Sequence, residues 1–286
     1  MVEYWLPSTA LRGYVRQLQL SRFDFSTVPI LPFKPYWPRP ENCLTLYPRD
    51  SETITYPDEN KPYTKPRSVL VGQPTILTNG HMGRDFMLYQ VVFQPGALFR
   101  LTGLPAYELT DTFVDAEVIF SAEIRRLNQR LNSTDKPGEM TTHVESFLHE
   151  LIRKTKHDLR PIDRVAPLML TTPVATLLTI CSMDWLASEA CLSLKQFYRK
   201  TIERLGVSPK LFDRIIRFNQ AVKRRDFYPA KDWLSIAIES GYHDYQHLVR
   251  DVRAFTTLTP TEFAHQEKQV VKCLYDTFES MTESGS

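Results

Sequence analysis

His243 and His247 stand four residues apart, the spacing by which two imidazoles on one helical face hold a metal ion. The residue after His243 is Asp244 rather than the glutamate of that motif, and Asp244 reads as a helix cap. A cap there puts His243 in a turn, off the face that carries His247. His81 has no second histidine in residues 1–142 with which to build a metal site. Cys43, Cys181, Cys191 and Cys273 are scattered and form no CxxC pair. Only ten glycines occur, none in a phosphate-cradling loop, and no serine sits in a nucleophile elbow. The sequence therefore implies no catalytic residue, no metal and no cofactor. Of the enzyme readings, a β-barrel enzyme with an accessory helical domain is the least disfavoured.

The chemistry that remains belongs to long cationic and amide side chains. Residues 195–231 contain eleven Lys/Arg against three acids, a local charge of +8, whereas residues 232–286 contain four against nine, a local charge of −5. The whole chain is nearly neutral at +2, so only the distribution is informative. A positive stripe of this density is the footprint of phosphate contact, although most charge runs are simply solvated helical faces.

Elements that position such side chains appear when the C-terminal half is compared with itself. One stretch reads Leu186-Ala187, Ala190-Cys191-Leu192-Ser193, Phe197 and Gly206-Val207-Ser208-Pro209. The other reads Ile236-Ala237, Ser240-Gly241-Tyr242-His243-Asp244, Leu248 and Thr257-Leu258-Thr259-Pro260. From Ser193 to Pro209 and from Asp244 to Pro260 are both sixteen residues, so the unit recurs with an offset of 51. Each copy has the grammar of a helix-turn-helix: a small residue where two helices approach closely, a tight turn, a capping Ser or Asp, then an anchored second helix. The units span about 184–206 and 232–257. Pro209 to Asp226 between them reads as a strut of about 17 residues, roughly 25 Å, with Leu211, Phe212, Ile215, Phe218 and Val222 buried. Such a strut suits two recognition helices about one DNA turn, ~34 Å, apart.

This arrangement resembles the AraC/XylS family of transcription regulators over residues 162–264. The strongest signature is IAIESGYHDYQHLVRDVRAFTTLTPTEF at 236–263, and the N-terminal pieces YWLPSTALRGYVR, VLVGQ and VVFQPGALFRLTGLPAYELTD resemble the β-rich sensor of one branch. Relatives usually carry glycine where Cys191 and Thr257 stand, and an apolar residue where Thr201 stands. The resemblance implies double-stranded operator DNA as partner, a small-molecule effector in the sensor half, and homodimerisation as an open alternative. With Phe197 facing the core, it makes Lys195, Gln196, Tyr198 and Arg199 base-contacting residues of the first unit. Tyr245, Gln246 and Arg250 are the equivalents in the second, and Lys200 and Arg204 are expected at phosphates. The departures at Cys191 and Thr201 leave open a protein-interaction module that has lost DNA binding.

The expected fold is α+β: a small N-terminal β barrel or sandwich with helices, then an all-α double helix-turn-helix domain. Thirteen of the 20 prolines lie in residues 1–105 and punctuate short apolar runs. Phe86–Phe93, apolar on both faces, should be a covered central strand. Ala97–Leu104 should form a short helix closed at Gly103. Ser121 is expected to cap a helix to Leu131, residues 133–139 to form a loop, and Thr141–His157 a further amphipathic helix. These two helices could pair between subunits or dock on their own sensor. The aromatic residues Tyr4, Trp5, Tyr36, Trp37, Tyr47, Tyr56, Tyr63, Phe86, Tyr89 and Phe93 would line a ligand pocket or fill a narrow barrel. The sensor or dimerisation region is placed at 1–157, and a C-terminal helix and tail at 265–286. No membrane-length apolar stretch and no secretory signal is visible, which points to the cytoplasm.

Overall fold

The computed structural model describes residues 1–28, 31, 33–57, 59, 61–155, 159–171 and 183–266. Of the C-terminal helix and tail expected at 265–286, residues 267–286 lie outside the described residues, as do Cys181 and Cys273.

Among the described residues, ten strands form two antiparallel sheets. The larger has the order β1 (Val2–Trp5), β2 (Val15–Asp24), β9 (Asp85–Phe93), β4 (Cys43–Leu46), β7 (Ser68–Val71) and β10 (Phe113–Asp115). The smaller joins β3 (Phe33–Tyr36), β8 (Thr78–His81), β5 (Thr53–Thr55) and β6 (Tyr63–Thr64). The central strand is β9, paired with β2 through Leu18↔Val91 and Leu20↔Tyr89, and with β4 through Leu44↔Val91. Alternation along β9 sends Phe86 into a core with Phe25, Tyr47, Val69 and Met82. It sends Met87, Tyr89, Val91 and Phe93 to the opposite face, under the helices. Both faces are covered, as the apolar run requires.

The aromatic set divides accordingly. Tyr47, Phe86, Tyr89 and Phe93 are fully buried and fill the space around the sheet, while Tyr4 is exposed. Tyr36 and Tyr47 share a buried Glu52: the Tyr47 hydroxyl donates to Glu52 Oε2 at 3.1 Å, and Lys65 Nζ lies 2.7 Å from the same oxygen. Burial, followed by the Glu52 charge, holds both phenols well above their ordinary pKa. Trp37, which follows β3 directly, packs edge-on against Phe263, with ring centroids 5.0 Å apart.

Helix α1 (Ala97–Thr102) follows β9 and closes on Gly103 at φ +74°, as expected. Helix α2 (Ala116–Asn132) begins five residues before the expected start, because Asp115 caps it by accepting from the Glu117 amide. Ser121 is no cap: at φ +45° and ψ −122° it kinks the helix. Helix α3 (Pro137–Lys154) also begins earlier than expected, with Pro137 in the first turn, where its missing N–H costs nothing. The stripes of α2 and α3, including Ile124, Leu127, Leu131, Val144 and Leu148, are buried in one cluster with β2, β4 and β9. These helices dock on their own sheet.

The rest of the described chain is helical: α4 (Pro161–Thr171), α5 (Met183–Glu189), α6 (Leu194–Leu205), α7 (Pro209–Phe227), α8 (Trp233–Glu239), α9 (Tyr245–Thr256), and helical residues from 260 to 266. No helix among the described residues is long and apolar enough to cross a membrane.

Candidate nucleic-acid interface

Helices α5 and α6 form the first helix-turn-helix unit, and α8 and α9 the second. Their turns are built alike. In the first, the amides of Ala190, Cys191 and Leu192 donate to the carbonyls of Leu186, Ser188 and Ala187. In the second, those of Ser240, Gly241 and Tyr242 donate to Ile236, Ile238 and Ala237. Up to this point the two copies match at an offset of 50. The second turn then holds one more residue before its cap, so the caps Ser193 and Asp244, the core residues Phe197 and Leu248, and the left-handed ends Gly206 and Thr257 match at 51. The expected uniform offset of 51 is therefore corrected for the first half of each unit.

Gly241 adopts φ +83°, which glycine tolerates, and Cys191 occupies the same place at φ +53°. A side chain in that conformation costs about 1–2 kcal/mol. Thr257 carries a similar strain at φ +64°. The caps differ in kind. Ser193 accepts from the Gln196 amide while Gln196 Oε1 accepts from the Ser193 amide and hydroxyl, a reciprocal capping box. Asp244 accepts from the His247 amide at 2.8 Å, and Asp232 caps α8 through the Ser235 amide at 2.9 Å. These hydrogen bonds, led by the backbone donor for Asp244 and the Ser235 hydroxyl for Asp232, hold both carboxyls below their ordinary pKa.

Helix α7, with 19 residues and a length of about 28 Å, belongs to both cores. Phe212 and Ile216 pack with Leu186, Ala187 and Phe197 of the first unit and with Ile162 and Val165 of α4. Ile215, Phe218, Ala221 and Val222 pack with Ile236, Leu248, Val252 and Phe255 of the second.

The expected reading residues gather at the outer faces of α6 and α9. Lys195, Gln196 and Arg199 are exposed on the first. Tyr198 is half-buried against the core of its unit, so only part of the ring is presented. On the second, Gln246 and Arg250 are exposed, and Tyr245 is half-buried against its core. Arg199 and Arg250 occupy matched positions, 51 residues apart. Lys200 is half-buried and lies 2.5 Å from Glu203 Oε2.

Arg204 does not stand where a phosphate contact was expected. Its side chain is 3% exposed, its Nε donates to Asp163 of α4 at 2.7 Å, and its guanidinium lies 3.7 Å from the Phe99 ring of α1. The repeat carried the signal for this, because an offset of 51 places Arg204 opposite Phe255, a core position. The positive stripe is also thinner than its composition. Arg214 pairs with Asp251, Arg217 with Asp213, and both Arg224 and Lys231 with Glu239. Arg225 donates to the Lys231 carbonyl. Lys195, Arg199, Lys210 and Lys223 are exposed and pair with no carboxylate among the described residues.

His247 Nδ1 lies 3.1 Å from its capping neighbour Asp244, and its ring centroid 6.3 Å from that of His243. Among the described residues no group of three or more His, Cys, Asp or Glu side chains is placed to hold a metal ion.

The N-terminal domain meets both units. The Thr110 hydroxyl donates to the Gly206 carbonyl at 2.9 Å, and a Cβ on Gly206 would stand 2.8 Å from that hydroxyl oxygen. At the other end, Asn219 of α7 donates to the Pro38 carbonyl at 2.7 Å, and Trp37 joins the second unit's core.

Residues 186–266 match the family model of a helix-turn-helix domain. Among solved structures, ToxT from Vibrio cholerae is similar at 11% identity and a TM-score of 0.46, over 86% of this chain and 97% of that one. The AraC-like transcriptional activator CuxR is similar at 11% identity and a TM-score of 0.26, over 84% of this chain and 91% of that one. No curated protein matches the chain.

Proposed function

From an AraC-type helix-turn-helix domain at the C-terminus of this chain, we propose that the protein is a sequence-specific DNA-binding transcription regulator. The observation that carries the reading is the matched pair of exposed arginines, Arg199 and Arg250, at equivalent positions of two recognition helices tied to one strut. Helix α6 reads bases through Lys195, Gln196 and Arg199, with the exposed edge of Tyr198 beside them. An arginine or lysine bonds guanine O6 and N7, and a glutamine pairs with adenine N6 and N7. The capping box engages Gln196 Oε1, so reading adenine with both amide atoms requires Gln196 to leave it. Helix α9 reads bases through Gln246 and Arg250, with Tyr245 at the groove edge. Lys200 contacts phosphate, and Lys210 and Lys223 join it in place of Arg204.

The N-terminal domain acts as the sensor. A small-molecule effector shifts the balance between arrangements of the two domains and so changes operator occupancy. A homodimer would bring four recognition helices to one operator.

Selection of random duplex DNA by the purified protein tests this reading, followed by affinity for the winner at two salt concentrations. The expected result is a motif with two elements about one helical turn apart and a salt slope set by the phosphate contacts. Absence of any enrichment at low salt, in the presence and absence of candidate effectors, would refute it.

A further inference from the structure

The edges of the two sheets are finished differently. Strand β3 carries Lys34 and Pro35, and β6 is two residues long between Lys61-Pro62 and Lys65-Pro66. Strand β10 is three residues long and ends in Asp115, the cap of α2. Charge, proline and shortness are the devices that keep a strand edge from pairing with another chain. Strand β1 holds one charge and no proline: it reads Val2-Glu3-Tyr4-Trp5 and continues to Leu6 before Pro7. Trp5 turns to the face under the helices, stacked on Tyr89 with ring centroids 6.4 Å apart, and Glu3 shares that face. The alternate face shows Val2, Tyr4 and Leu6, which are 42%, 61% and 75% exposed. The backbone has the same phase. Met1 and Arg22 exchange two hydrogen bonds, each 2.8 Å long, so Met1, Glu3 and Trp5 turn their backbone groups to β2. Val2, Tyr4 and Leu6 turn theirs to the open edge. The exposed apolar side chains and the outward N–H and C=O groups thus belong to the same three residues.

We propose that β1 is the surface on which a second copy of this chain docks, the two strands running antiparallel about a two-fold axis at Tyr4. An axis at Glu3 or Trp5 would offer groups already bonded to β2. The axis at Tyr4 is the one that pairs all three open residues with one another. It sets Tyr4 opposite the partner's Tyr4, Val2 opposite the partner's Leu6 and Leu6 opposite the partner's Val2, each as a hydrogen-bonded pair. It sets Glu3 opposite the partner's Trp5, so no like charges meet. This self-matching is what a two-fold interface requires, and it selects a second copy over a foreign strand. Helices α2 and α3, the elements that the sequence offered for pairing, bury their stripes on their own sheet. The dimer joins two six-stranded sheets into one. The pairing follows from the sheet edge alone, and only its meaning for operator binding, two pairs of recognition helices in one assembly, rests on the regulator reading.

Three side chains from each copy make an interface smaller than the standard ~1,600 Å², so a dissociation constant of about 1–100 µM is expected. Sedimentation equilibrium of the full chain should show a monomer–dimer equilibrium in that range. Tyr4→Lys, which sets two ammonium groups across the axis from an exposed position, should weaken the dimer by about tenfold or more, with an unaltered thermal midpoint to show that the variant folds. Tyr4→Cys tests the register. Its Cα atoms would lie ~5.5 Å apart across the axis, within disulfide reach, so mild oxidation should cross-link the two copies. Val2→Cys stands opposite the partner's Leu6 and should cross-link no more than the unsubstituted chain, whose own cysteines set the background. A chain still monomeric up to ~200 µM would leave the edge to a strand of another protein and overturn the proposal. A dimer indifferent to Tyr4→Lys, or equal cross-linking of the two cysteine variants, would overturn it as well. The selected DNA is titrated in parallel. A Tyr4-dependent dimer that binds no DNA would keep the interface and remove the regulator reading. Specific DNA binding by a chain that stays monomeric would do the reverse.

Discussion

Where α9 carries Phe255, α6 carries Arg204, and the two residues do opposite work. Phe255 closes the core of its own unit against Phe218, with ring centroids 5.3 Å apart. Arg204 turns out of its unit to Asp163 and Phe99. The helix ends that follow differ in the same sense. Gly206 lets the backbone come against Ala106 and Thr110, whereas Thr257 accepts a strained left-handed conformation. One position earlier in the core, Thr201 is buried with its hydroxyl unsatisfied where the second unit has Val252. Two copies of one motif have thus been adapted differently: the first puts Arg204 and Thr201 where the second has the apolar Phe255 and Val252, while each holds one buried hydroxyl without a partner, Thr201 in the first and Ser240 in the second. On the proposed DNA-binding reading, the acidic surroundings of the second unit predict the weaker phosphate contact.

The largest consequence concerns the two charge pairs. Asp163→Ala leaves the buried Arg204 guanidinium with only its 3.4 Å contact to Glu203 and should destabilise the protein by about 3 kcal/mol in denaturant unfolding. Arg214→Ala removes the matching contact to Asp251 in the second unit, where Arg214 is 41% exposed, and should cost about 1 kcal/mol or less. Equal losses would mean that the first unit is no more firmly engaged than the second.

DNA affinity should show the reverse dominance of surfaces. Arg199→Ala should cost about 1–3 kcal/mol and relax specificity at one base, and Arg250→Ala about 1 kcal/mol or less. Uniform weakening on all sequences would reassign Arg199 to phosphate. Thr201→Val should stabilise by about 1 kcal/mol, since it removes a buried hydroxyl that has no partner, and Val252→Thr should destabilise by a similar amount. If both changes proved neutral, the packing contrast between the units would be wrong.

The smallest effect is that of acid. Asp232 and Asp244 have folded-state pKa values below their ordinary 3.8, so their caps contribute fully above that value and fade as pH falls through the lowered ones. Ser193 and Ser208, the caps of α6 and α7, do not titrate. Hydrogen exchange below about pH 4 should therefore accelerate in 233–256 before 194–205. Simultaneous loosening would break the distinction.

The repeat was legible in the sequence because its signals are local: caps, a left-handed turn residue, and a proline sixteen residues after each cap. The covered strand β9 was legible for the same reason, since eight apolar or neutral residues in a row leave few alternatives. The fate of Arg204 was half legible: the repeat aligns it with the core residue Phe255, but its partner Asp163, 41 residues away, has no local signal. Trp37 was ambiguous on similar grounds: its ring contact is Phe263, far along the chain. The Ser121 kink has no sequence signal that we can identify. Among the expected reading residues, the helical face opposite Phe197 and the family resemblance placed Lys195, Gln196, Arg199, Gln246 and Arg250 on exposed faces, but neither shows that most cations on the strut are paired.

The sharing of α7 between two cores has a thermodynamic consequence. Leu211 packs against both clusters, and successive turns of the same helix feed one and then the other. Neither unit can lose its packing without stripping a face of the helix that the other needs. The C-terminal half should therefore melt as a single cooperative unit rather than as two beads on a rod, and DNA held by one recognition helix would protect the amides of the other.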